Sequence, residues 1–136
     1  MKTILTILII ALSAPAFANE IQHFNPGIFG KTADSSTILL LPAGRNAIKP
    51  IQVMTDINEK GIFYAARLVY PGTVAIEEAR KSLNKIYKEY EVKAFVDDPG
   101  MGIWRNEDGR FTVQLSTTDF ECEPAVVQVL YVWLDR

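Results

Sequence analysis

His23 and Cys122 are the only histidine and the only cysteine in the 136 residues, and that scarcity removes most nucleophilic and metal chemistry at once. A zinc centre draws on several imidazoles and thiolates, and a serine or cysteine triad needs an imidazole held beside its nucleophile. His23 stands in a polar, turn-rich N-terminal segment and reads as a solvated loop residue; no Gly-x-Ser-x-Gly occurs in the chain. Cys122 lies between Glu121 and Glu123, whose charges oppose thiolate formation. As a lone cysteine it forms no internal disulfide and reads as a plain free thiol. The sequence carries no phosphate loop, dinucleotide fingerprint or calcium-loop pattern, so no cofactor and no metal are expected.

Carboxylates are the one reactive group present in number: Asp97-Asp98, Glu107-Asp108, and Asp119, Glu121 and Glu123. Paired acids can serve as general acid and base, which keeps a carboxylate-based hydrolase or lyase as an alternative function. All of them fall in segments that read as loops, where solvated charge is the default. A second group is a surface rather than a reactive centre. Strand parity places Ile103, Arg105, Thr112 and Gln114 on the face away from Trp104, and similar parity adds Arg67 and Gln128 from neighbouring apolar strands. Arg67, Arg105, Gln114 and Gln128 among Phe63, Val69 and Ile103 have the mixed polar and apolar composition of a ligand or partner face. Against that stands the plainer expectation that residues 19–55 half cover this face.

The elements that would position these residues are legible in the spacing of apolar side chains. Residues 37–41 and 51–55 are short apolar runs bounded by Pro and Gly and read as strands. Residues 62–70 read as a stronger strand, with Ile62, Tyr64, Ala66, Leu68 and Tyr70 on one face and Phe63, Ala65, Arg67 and Val69 on the other. Residues 74–90 read as an amphipathic helix: Ile76, Ala79, Leu83, Ile86, Tyr87 and Tyr90 recur at helical spacing, Glu77 and Glu78 suit its first turn, and Thr73 is placed to cap it. Residues 101–105 and 110–116 form a hairpin around Asp108-Gly109, in a register that sets Glu107 opposite Arg110. That register puts Trp104 on one face with Phe111, Val113 and Leu115, as a core residue facing the helix. Residues 125–134 are apolar on both faces, the mark of a central strand.

The whole chain fits one domain behind an export signal. Lys2, the apolar run from Ile4 to Leu12 and the triplet Ala16-Phe17-Ala18 follow the order of a cleavable signal peptide over residues 1–18, cut near Ala18-Asn19. The apolar run is too short to span a bilayer, so no stable membrane insertion is expected. Losing Lys2 moves the formal charge from −2 to −3, a balance that disfavours nucleic acid and anionic membrane as partners. The expected organisation is an irregular lead-in at 19–36 and a single α+β domain at 37–136. Its antiparallel sheet has about four to six strands, with one long amphipathic helix packed on one face. The function that fits is a secreted or periplasmic, non-catalytic binding or interaction module for a protein or small-molecule partner. A structural homo-oligomer that buries its second sheet face against a copy of itself is the remaining alternative.

Overall fold

The strongest periodicity in the sequence becomes α1, Ile76–Glu89, whose buried stripe is Ala79, Leu83 and Tyr87, each one turn beyond the last. The computed structural model describes residues 20–34, 38–42, 46–98, 101–120 and 123–134; residues 1–18, read above as a signal peptide, and Glu121 and Cys122 lie outside them. Glu77 and Glu78 occupy the first turn of α1 and Lys88 the last, as the helix dipole favours. Thr73 is not the cap. The cap position falls on Ala75, which offers no side-chain acceptor, because Val74 is drawn into a turn by its N–H bond to the Pro71 carbonyl. At the other end the N–H of Val92 bonds to the Tyr87 carbonyl and that of Glu91 to the Lys88 carbonyl. This is the Schellman arrangement, with Glu91 in the left-handed region at φ 61°.

Two short strands, β1 (His23–Phe24) and β2 (Leu40–Leu41), pair with each other. The other six, β3 (Gln52–Ile57), β4 (Phe63–Val69), β5 (Lys93–Asp98), β6 (Met101–Arg105), β7 (Phe111–Phe120) and β8 (Glu123–Trp133), make one antiparallel sheet in the order β3-β4-β8-β7-β6-β5. A β3-β4 hairpin and a β5-β6-β7-β8 meander are thus joined by α1 and closed by β8, which is central as its two apolar faces require. The β6-β7 register pairs Trp104 with Val113 and Arg105 with Thr112, and Asn106 closes the hairpin on Phe111, so Glu107 and Arg110 lie in a four-residue loop and the expected two-residue turn at Asp108-Gly109 does not form. The tight turn itself spans Asn106 to Gly109, closed by the Gly109 N–H on the Asn106 carbonyl, and the Asn106 side chain accepts from the Phe111 N–H.

One face of this sheet carries the core. Leu68, Tyr70, Trp104, Val113, Leu115, Val129 and Tyr131 pack there with Leu83 and Tyr87 of α1. Phe63 belongs to this face and not to the opposite one. Between the Asp56–Ala65 and Ile57–Phe63 pairs β4 holds one extra residue, Tyr64, and this bulge returns Phe63 to the core side. The N-terminal segment fills the rest of the same face. Ile21, Phe24 and Phe29 are core residues, and the Phe29 ring stacks at 4.5 Å on Phe63 and 5.3 Å on Tyr131. Residues 20–34 are therefore irregular in backbone yet part of the core, and residues 20–55, as far as they are described, do not cover the second face. They lie on the helix side or, as β3, extend the edge.

Candidate functional site

The second face is built by parity. Opposed residues in an antiparallel pair point the same way, so each residue opposite a core position turns its chain neighbours outward. One outward row runs Met54, Arg67, Leu130, Gln114, Ile103 across β3, β4, β8, β7 and β6. A second runs Gln52, Val69, Gln128, Ser116, Met101, and a third runs Asp56, Ala65, Val132, Thr112, Arg105 and on to Lys93 of β5. Arg67, Arg105, Gln114 and Gln128 all lie on this one face, in three adjacent rows. Of the neighbours expected among them, Ile103 and Val69 are there and Phe63 is not.

The face is neither a solvated charge field nor a second core. Arg67 and Arg105 are exposed, whereas Gln114, Gln128, Leu130, Val132, Ile103 and Met101 are half-buried. Gln128 donates from Nε2 to the Ser116 hydroxyl at 3.1 Å, which fixes its amide flat across the strands. The Arg105 guanidinium sits 4.4 Å from the centre of the Phe95 ring, a cation–π contact that orients the charge at the rim. Phe95 is the extra residue of a bulge in β5, between the Ala94–Trp104 and Val96–Ile103 pairs. With strands about 4.8 Å apart, Arg67 and Gln114 are separated by roughly 10 Å, with Leu130 between them. No described element packs over these rows, since α1 and residues 20–34 both lie behind the sheet.

The other candidate residues are placed elsewhere. His23 is not a solvated loop residue: it is 6% exposed, with Nδ1 3.1 Å from the Phe24 carbonyl oxygen. Burial lowers its pKa below the ordinary 6.5, against weaker opposing effects of that carbonyl, Glu20 and Glu89. It lines a cleft of about 610 Å³ between the N-terminal segment and α1, with Glu78, Lys81, Lys85 and Glu89 at the rim. Lys85 reaches across that cleft to Glu20 at 3.2 Å. Sequence reasoning missed the burial because His23 sits outside any long periodic run; the signal was its place between Ile21 and Phe24. Trp104 is core, 1% exposed, and donates from its indole nitrogen to Asn84 of α1 at 2.8 Å.

The pairs 97–98 and 107–108 are held at opposite ends of β6, Asp119 and Glu123 flank the β7-β8 turn, and Glu121 falls outside the described residues. Asp97 and Asp98 close β5 beside the start of β6, while Glu107 and Asp108 sit in the turn at its far end. Those pairs stand about a strand length, roughly 20 Å, apart. Among the described residues no group of three or more His, Cys, Asp or Glu is arranged to hold a metal ion, and no described helix is long and apolar enough to cross a membrane. Tyr70, Tyr87 and Tyr131 are buried, and burial raises all three hydroxyl pKa values, that of Tyr131 to about 12. Tyr70 donates to the Gln22 carbonyl. The Tyr87 and Tyr131 hydroxyls lie close enough to influence each other's ionisation without a hydrogen bond of good geometry. Set against known protein families, curated proteins and solved structures, the chain matches none of them.

Proposed function

We propose that this protein is an exported, non-catalytic interaction module whose docking surface is the sheet face opposite α1. The observation that carries the reading is the composition of that face. Two arginines and three glutamines lie among Met54, Leu130, Ile103 and Met101, in three adjacent rows with nothing described above them. Arginine and methionine are enriched at protein interfaces, and an arginine ringed by half-buried aliphatic side chains is a typical energetic anchor. Arg67, Arg105 and Lys93 outnumber Asp56 on the rows where side chains are described, so the partner is a protein surface with carboxylates around an apolar centre. For the carboxylate-hydrolase alternative, the pairs 97–98 and 107–108 stand at opposite ends of β6.

Site-specific photocrosslinking in the native host tests this. A photoreactive residue at Gln114, on the open face, is expected to give an adduct of defined mass, and one at Glu77, exposed on α1, is expected to give none. Arg67→Glu is expected to abolish the Gln114 adduct while leaving the circular dichroism of the purified protein unchanged. Equal adducts from both positions, or none from Gln114, would defeat the proposal.

A further inference from the structure

We infer that β3 is a homodimerisation edge: two copies of the chain pair their β3 strands antiparallel about a twofold axis at Met54, fusing two six-stranded sheets into one. β3 is bonded to β4 on one side and has no described neighbour on the other. All six of its residues are exposed. With Ile51 just before it, it presents Ile51, Val53, Met54 and Ile57 at 45 to 64% exposure. Sheet edges that must stay single are blunted by lysine, proline, a bulge or a cover. β3 has no Lys or Pro within it, the bulge opposite its end belongs to β4, and its one charge is Asp56.

The sequence of the strand says what would pair with it. Ile51-Gln52-Val53-Met54-Thr55-Asp56-Ile57 is a chemical palindrome about Met54. A second copy turned about that residue sets Met54 against Met54 and Val53 against its near-isostere Thr55. It also sets Ile51 against Ile57, and Gln52 against Asp56, where the amide donates to the carboxylate. Two steps beyond that pair, past Pro50 and Asn58, the same register brings Lys49 towards Glu59 of the other copy. Moving the axis to Thr55 opposes Asp56 to Met54, and moving it to Asp56 opposes two carboxylates, which is destabilising. With the axis perpendicular to the sheet, Gln52, Met54 and Asp56 keep to one side, so the two open faces become a continuous surface. The contact is isologous and closes at two copies. This inference does not depend on the open face having a partner.

The test uses the protein purified after expression of the full chain, with Cys122→Ser to remove the native thiol. Light scattering over a wide concentration range is expected to show a dimer. Met54→Lys, which places two ammonium groups at the axis, is expected to raise the dimer Kd by about tenfold or more with unchanged circular dichroism. Met54→Cys is expected to form an intermolecular disulfide in air, whereas Gln52→Cys, facing Asp56, stays reduced. A monomer at every concentration overturns the inference, including one that gains mass solely on adding another protein. So does a dimer indifferent to Met54→Lys, or a Gln52→Cys chain that links as readily as Met54→Cys.

Discussion

Trp104 and Gly102 stand two residues apart on the core face of β6, and the indole lies back over the glycine: a Cβ built on Gly102 would come within 2.5 Å of the ring. The indole is pinned on its other side by Asn84 and by the Tyr87 ring at 5.8 Å, so it has little room to give. Gly102→Ala is expected to destabilise the protein by about 1–3 kcal/mol through overpacking, read as a fall in the denaturation midpoint at constant slope. His23 gives a pH dependence of definite sign. Its pKa is lowered in the folded protein, so below about pH 6.5 the unfolded chain binds the proton more readily than the folded one. Stability should therefore be flat above that value and decline as the pH falls through it, levelling off below the folded pKa. His23→Gln should remove this part of the decline, seen as the difference between the melting profiles of the two proteins from about pH 8 to about pH 5. A profile that climbs on acidification would show the opposite sign and exclude a buried neutral imidazole.

At the level of elements, α1 ends on a residue poorly suited to its backbone. Glu91 holds a left-handed conformation where glycine is usual, and its side chain is exposed. Glu91→Gly is expected to stabilise the protein by about 1 kcal/mol, measurable as a rise in melting temperature. The helix itself was legible because Ala79, Leu83 and Tyr87 repeat at its own period, and the β6-β7 hairpin because an even loop keeps Trp104 and Val113 on one face. That parity is also why Arg67, Arg105, Gln114 and Gln128 could be grouped from sequence. The bulge at Tyr64 was not legible, since nothing in the order Ile62-Phe63-Tyr64-Ala65 marks which residue drops out of the alternation. The cap went to Ala75 for a similar reason: the Pro71 turn is settled by how β4 leaves the sheet, and Thr73 carries no mark of that.

For the molecule as a whole, one face of the sheet is insulated twice, by α1 and by residues 20–34, while the other is left to its rows of side chains. The N-terminal segment had no period to betray it, because its contribution comes from three aromatic or aliphatic residues, Ile21, Phe24 and Phe29, spread over a two-residue strand and the loops around it. Phe24 touches Phe29, Phe63 and Tyr131 with ring centres 5.4 to 6.0 Å apart. Phe24→Ala is expected to cost about 3–5 kcal/mol, and a variant that melts with the parent would show that the segment is dispensable. The position of β8 has a consequence for how the sheet is held together. Among the described strands β4 meets β7 solely through β8, which pairs Ala65 with Val132 on one side and Thr112 with Val132 on the other. The β3-β4 hairpin and the β5-β6-β7 strands thus remain two unlinked sheet fragments until β8 pairs with both.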